Sequence, residues 1–532
     1  MLESPVRADP RRWWTLGVLC LSLLIVFVGN SSLNVAIPRL SSDLNATESQ
    51  LQWVVAAYSL VFAGLLFSTG AIGDRFGRKG ALQLGLVGFL VAAALASAST
   101  EMWELIGCRA LMGAAAAFIM PSTLSILVNI FPPDERTRAI AIWAATTGAA
   151  GAIGPVASGF LLNHFWYGSV FLVNVPIVLV ALVLGVFLVP TSRDPEEARL
   201  DPVGSVLSII GISSLVYGLI EAPANGWGSS TTLAAFTISF VVLAIFAAWE
   251  LHVDEPMLDL HYFRNPAFST GTGGMILVFM AMFGVMFLIT QYFQLVLGYS
   301  PLGAALRLLP MAPVMIIVAP LTPRLSTRFG ANRVVTFGLA TVTFGLLLFR
   351  LLTTHTGYPQ VLATMLLLVT GIALTMSPMT AAIMSAVPPR RAGAGSAMND
   401  ATRELGASLG IAVLGSLAAT RYTHSLDHAL KGLSAADQSE ARGSLGGALN
   451  VAGRLRGAPA QALTSAAHQS FVNGVHLAVT GGALLAALAT IAVARFLPRD
   501  LTHEGAMHSP VAALEETESL GLAGVLAQAS DE

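Results

Sequence analysis

Arg109 stands within Leu105-Ile106-Gly107-Cys108-Arg109-Ala110-Leu111-Met112-Gly113, an otherwise uncharged and mostly apolar stretch. A guanidinium at the centre of a membrane helix costs about 2.5 kcal/mol or more on insertion scales, so it is either paired and functional or near enough to the interface to snorkel. A second cluster, Asp400-Ala401-Thr402-Arg403-Glu404, sets two carboxylates at i and i+4 on one helix face with a cation beside them. Two carboxylates that close in a partly dry site can hold a proton between them, and Arg403 opposes this; the same cluster can equally be a helix start satisfied by Arg403. Glu221 is a further acid at the end of an apolar run. The turn Gly70-Ala71-Ile72-Gly73-Asp74-Arg75-Phe76-Gly77-Arg78-Lys79 gathers one carboxylate, three cations and three glycines; Asp74 can pair with a cation or face a helix N-terminus, or the cations simply anchor a helix end. In Gly148-Ala149-Ala150-Gly151-Ala152-Ile153-Gly154-Pro155-Val156-Ala157-Ser158-Gly159, small residues let another helix approach and Pro155 bends its own helix.

The elements that hold these groups must be membrane spans. Of 532 residues 55% are hydrophobic and only 11% charged, with a mean hydropathy of +0.72, too few charges to cover several soluble domains. A net charge of -2 offers no basic field for nucleic acid, and the two cysteines, Cys20 and Cys108, lie in apolar runs, which excludes a disulfide framework. Fourteen stretches are long enough to cross: about 15–37, 51–72, 80–98, 104–130, 137–163, 169–190, 202–221, 231–251, 267–297, 302–323, 332–352, 359–385, 395–420 and 473–496. An N-terminus in the cytoplasm places most Arg and Lys there and leaves only Arg39, Arg307 and Arg350 in the short outer loops and at outer helix ends, so both termini are expected to be cytoplasmic.

This division gives an N-terminal segment 1–14, a six-helix bundle 15–190, a linker 191–266 with two extra helices, and a second six-helix bundle 267–497. A long outer loop, 421–472, interrupts the second bundle, and a disordered acidic tail, 498–532, follows it. Two self-matches support a repeat: Arg75-Phe76-Gly77 recurs as Arg328-Phe329-Gly330, and Pro132-Pro133 recurs as Pro388-Pro389 with Gly154 falling on Gly410. Parallel halves of this kind place a substrate site between them near the midplane.

Taken together, the turn from Gly70 to Lys79, the Arg109 segment and the Gly148 to Gly159 run resemble the three signature motifs of the major facilitator superfamily. Asn34-Val35-Ala36-Ile37-Pro38, Gln52-Trp53-Val54 through Tyr58, Leu200-Asp201-Pro202-Val203-Gly204 and Gln291-Tyr292-Phe293-Gln294 with Gly298-Tyr299-Ser300-Pro301 resemble its fourteen-span drug/proton antiporter branch. The resemblance implies an all-α polytopic fold of two six-helix bundles plus two extra helices. It implies a conformational latch at Gly70, Asp74, Arg75, Gly77 and Arg78, and proton coupling through Arg109, with Asp400 and Glu404 as candidates and Glu221 as a weaker one. It further implies an antiporter motif at Gly148, Gly154, Pro155 and Gly159, and a cavity lined by Asn30, Asn34, Trp53, Tyr58, Gln291 and Gln294. The chain departs from the pattern at Gly29 and Ala56, where the branch often has acids, and at Thr327, where the second copy of the latch lacks its Asp.

The function expected is secondary export of amphipathic organic compounds or drugs in exchange for protons, by a monomer in the cell membrane. Its partners are then a small-molecule substrate, protons and the lipid bilayer, and it needs no cofactor beyond the proton gradient. The alternatives are an exporter of one metabolite and an uncoupled sensor or scaffold. No Walker-type loop, metal cluster or catalytic triad accompanies the spans, which argues against an enzyme or an ATP-driven pump.

Overall fold

The computed structural model describes residues 10–192, 201–253, 256, 258–387 and 392–499; most of the N-terminal segment, the acidic tail and part of the linker before span 7 lie outside these. Among the described residues the chain is helical and has no strand. The spans are Arg12–Asp43, Glu48–Phe76, Arg78–Ala98, Met102–Ile130, Pro133–His164, Ser169–Leu188, Pro202–Asn225, Ser230–Glu250, Pro266–Val296, Pro301–Phe329, Ala331–Leu351, Tyr358–Ser385, Ala392–Leu426 and Ala458–Phe496, numbered 1 to 14 in that order. Thirteen are long and apolar enough to cross a membrane. The remaining one, span 5, has 32 residues, also enough to cross. Phe187, Phe240, Ile316, Phe337 and Ile491 are 66 to 77% exposed, as lipid-facing side chains are.

Local chemistry fixes the helix starts. Thr47 and Gln50 form a reciprocal capping box ahead of span 2, and Ser229, Asn265 and Ser300 cap spans 8, 9 and 10. Asp201 caps span 7 and also accepts from Trp249 Nε1 at 3.0 Å, which ties the start of span 7 to the end of span 8. Spans 13 and 14 run farther than expected, to Leu426 and from Ala458. The reason is that Tyr422 bonds to the carbonyls of Ala441 and Ser444, while Leu463 and Ala467 stay buried, so the helices keep a packed face beyond the expected limits.

The repeat is visible in three dimensions. Span 1 packs on 5, 2 on 4 and 3 on 4, as 9 packs on 13, 10 on 12 and 11 on 12. The turns after spans 2 and 10 match in detail: Gly77 and Gly330 both have positive φ, +129° and +87°, and Arg75 covers the Phe76 ring as Arg328 covers Phe329. The next residue of each turn donates its backbone N–H to the end of its bundle's last span, Arg78 to Ser192 O at 3.0 Å and Ala331 to Arg499 O at 2.9 Å. Between the bundles span 2 meets 13 and span 5 meets 10, the two-fold exchange that parallel halves require. Spans 7 and 8 pack on each other, and span 7 lies against spans 2 and 13.

Both ends of the described chain lie on one face, called here the terminal face. Cross-bundle bonds run from Gln294 to Val35 O (2.9 Å), Gln291 to Glu48 (3.2 Å), Ser416 to Gln52 (3.3 Å) and Leu302 N to Asn163 (3.4 Å), all toward the opposite face. There the connection between spans 13 and 14 folds into helices Ala435–Gly443 and Leu445–Arg454. It bridges to the other bundle through Ser444 on Ser41 (3.0 Å) and Asn450 on Asn45 (3.2 Å).

Candidate transport site

Arg109 is the largest fully buried side chain, at 0% exposure. Span 4 delivers it to a junction with spans 1 and 2, where Nε donates to Val54 O (3.0 Å), Nη1 to Gly29 O (3.4 Å) and Nη2 to Asn30 Oδ1 (3.1 Å). Its guanidinium lies 4.4 Å from the centre of the Tyr58 ring. This cradle excludes snorkelling, and the groups in direct contact with the cation are neutral. Glu404 lies within electrostatic range of both Arg109 and Tyr58. The carbonyl of Gly29, with Asn30 and Val54, takes up the arginine's donors.

The span 5 motif meets the same stretch of span 1. Ser32 Oγ donates to Gly154 O (3.1 Å), Ser158 Oγ to Ser32 O (2.8 Å), and Ser31 Oγ to Ala150 O (3.4 Å). A Cβ on Gly154 would come within 2.0 Å of Ser31 Oγ, and one on Gly159 within 2.8 Å of Leu302 in span 10. Pro155 is half-buried in this span, and the surroundings of Gly148 lie outside the described residues. The motif therefore reaches Arg109 through Asn30, Ser31 and Ser32, one short polar run that touches both.

The two carboxylates of span 13 part company. Asp400 stays beside its own helix, 3.7 Å from Arg403 Nη1 and next to Asn399, which accepts from Thr380. Glu404, one turn deeper, faces span 2 at Ser59 and leaves its buried Oε2 without a hydrogen-bond partner. Glu221 stands elsewhere, at the seam of spans 2 and 7, where Trp53 Nε1 donates to it at 3.2 Å. Trp53 thus turns toward span 7 and Tyr217, Tyr58 serves as the ring under Arg109, and Asn34 is buried with its Oδ1 unpaired. Gln291 and Gln294 flank the start of a π-helical turn, Tyr292–Val296, and both reach across to spans 1 and 2.

At the turn after span 2, Gly77 supplies the positive φ that ends the span, Gly70 faces Pro121 of span 4, Arg75 is exposed, and Lys79 donates to Val186 O at 2.7 Å. The backbone N–H of Arg78 closes the turn on span 6. The side chain of Asp74 is outside the described residues.

A polar run joining spans 1, 4 and 5 inside a two-fold helical repeat is a family's geometry, and the comparisons agree: the family model described as Major Facilitator Superfamily matches residues 19–411. The chain belongs to the major facilitator superfamily. It is an integral membrane protein of this family of transporters. It is 37% identical to the multidrug efflux pump LfrA of Mycolicibacterium smegmatis over 92% of this chain and 98% of that protein. It is 33% identical to the tetracenomycin C resistance and export protein of Streptomyces glaucescens over 91% of each. It is also 33% identical to the methyl viologen resistance protein SmvA of Salmonella typhimurium, over 89% of this chain and 96% of that protein. Its fold is similar to that of a bacterial homolog of the lysosomal transporter Spinster in an inward-facing, unoccupied conformation. That likeness has a TM-score of 0.64 at 17% identity, with 92% of this chain and 98% of that one covered.

Sequence reasoning passed over Glu48, Gln52, Ser59, Ser408 and Ser416 as site residues. The spacing Glu48, Gln52, Ser59 at i, i+4 and i+11 marks one face of span 2 and was the available signal.

Proposed function

We propose that this protein is a secondary active exporter that exchanges protons for amphipathic, often cationic, organic molecules, working as a monomer in the cell membrane with its terminal face in the cytoplasm. The observation that carries the proposal is Arg109, a fully buried cation with neutral contacts, held by the run that meets the span 5 motif and within range of one carboxylate, Glu404, in the opposite bundle. The names of the relatives, drug efflux and resistance proteins, support the substrate class.

With the terminal face cytoplasmic, the bonds between the bundles on the opposite face hold the outer side closed in this state. Ionised Glu404 and Arg109 attract across the interface between the bundles. A proton on Glu404 removes that attraction and frees the bundles to rock about their contacts, so proton binding and release are tied to which face is open. A cationic substrate entering from the cytoplasm favours ionised Glu404 and so drives the proton off on that side. The turn at Gly77 then latches the bundles when the cytoplasmic side closes. An exporter of a single compound is the second reading, favoured by the tetracenomycin C relative.

The test is efflux of ethidium and a panel of other dyes from cells overproducing the protein, with and without a proton ionophore. Efflux of several unrelated dyes that stops with ionophore is expected. Efflux of one compound alone favours the second reading, and efflux that persists with ionophore contradicts coupling.

A further inference from the structure

Spans 2 and 13 meet along a seam on which polar side chains follow one another from face to midplane. Span 2 supplies Glu48, Gln52 and Ser59, and span 13 supplies Glu404, Ser408 and Ser416 at i, i+4 and i+12, again one helix face. The rows interlock at both ends, with Ser416 Oγ on Gln52 Oε1 at 3.3 Å and Ser59 against Glu404. Gln52 and Ser408 are fully buried at 0% exposure, yet Gln52 Nε2 and Ser408 Oγ have no partner in the protein. Neither has Glu404 Oε2, nor the Oε1 of Gln291, whose amide holds Glu48. Buried polar atoms are ordinarily paired, and where protein supplies nothing, ordered water does. Three such atoms on the seam, with Gln291 of span 9 beside Glu48 at its end, mark a line that water can occupy. Between its ends lie Ala56 and Ala412, both fully buried and packed with Leu60 of span 2 and with Val216 and Ile220 of span 7, an apolar plug.

We infer that the span 2 to span 13 seam is the route by which the coupling proton passes between the face opposite the termini and Glu404. This rests on the proton-exchange reading above. Glu48 is the outer carboxylate, and Gln52, Ser416, Ser408 and Ser59 hold the water between it and Glu404. A proton from outer water binds the Glu48 carboxylate, moves along that water to the Glu404 carboxylate, and leaves Glu404 for water on the terminal side; no other bond changes. Glu48 faces Gln291 and Tyr422, and Glu404 faces Arg109, Tyr58, Asp400 and Arg403. In the state seen here the alanine plug and the Gln291 to Glu48 bond keep the route from leaking, and parting of the bundles on that face opens it.

The experiment uses the full chain in liposomes, with ethidium as substrate and a pH-reporting dye in the lumen. Glu48→Gln and Gln52→Leu are expected to slow pH-gradient-driven ethidium transport by about tenfold or more, the scale at which a proton-transfer group matters, while ethidium affinity stays within about twofold of wild type. Ala412→Ser, which makes the plug polar, is expected to raise the passive proton leak without ethidium. Wild-type transport in both seam variants overturns the route, as does an equal loss of ethidium binding, and so does an unchanged leak in Ala412→Ser. A wild type whose transport ignores the gradient overturns the proton-exchange reading and the route together; a wild type and variants that follow it equally overturn the route alone.

Discussion

Arg109 and Glu404 carry the account at the scale of single residues, and each has a conservative variant that separates charge from geometry. The guanidinium makes three directed bonds to three separate oxygens, a fork that an ammonium cannot reproduce. Arg109→Lys is therefore expected to recover little of the efflux lost in Arg109→Ala, measured with dye-loaded cells at matched expression; full efflux in the lysine variant would reduce the residue to a point charge. Glu404→Gln should abolish the dependence of transport on the pH gradient, whereas Asp400→Asn should only weaken it, because Asp400 is engaged by Arg403 in its own helix. Equal effects of the two variants in liposomes would return the coupling to a shared pair. The sequence made both acids visible but not their separation, since i and i+4 spacing on one helix says nothing of what the facing helix offers, here Ser59 for one acid alone.

Among the elements, the contact of spans 1 and 5 is the tightest test of how small residues build the site. Gly154 sits so close to Ser31 that a methyl group must displace its hydroxyl from the Ala150 carbonyl and crowd its Cβ, an overpacking cost of about 1–3 kcal/mol. Gly154→Ala should lower the unfolding temperature in detergent and impair transport together, and unchanged values for both would mean that the helices do not approach as described. Gly77→Ala strains the turn instead, since its φ of +129° is one that side chains rarely adopt. Spans, repeat and turn glycines were legible because hydrophobic length and positive-φ turns are local properties of the chain. What was not legible is which way a polar residue on a helix turns: Trp53 and Gln52 are neighbours, yet Trp53 bonds Glu221 of span 7 and Gln52 meets span 13. The lengths of spans 13 and 14 were not legible either, since these helices are prolonged by contacts with the segment that connects them rather than by hydropathy.

For the whole molecule, alternating access requires that the contacts on the face opposite the termini break once in every cycle. Ser41 and Ser444 face each other across that boundary at 3.0 Å between hydroxyl oxygens. A Ser41→Cys, Ser444→Cys double variant should therefore lose transport on oxidation and regain it with reductant, and transport that survives complete cross-linking would mean that this boundary does not open. The central claim is the exchange of a proton for substrate, and the most direct measurement needs no imposed gradient. Ethidium is added outside liposomes that contain the purified protein and a lumenal pH reporter, and proton movement is recorded as ethidium enters. The account predicts protons leaving the lumen as ethidium enters it, and no such proton movement with Glu404→Gln; ethidium entering wild-type liposomes with no proton signal would contradict it.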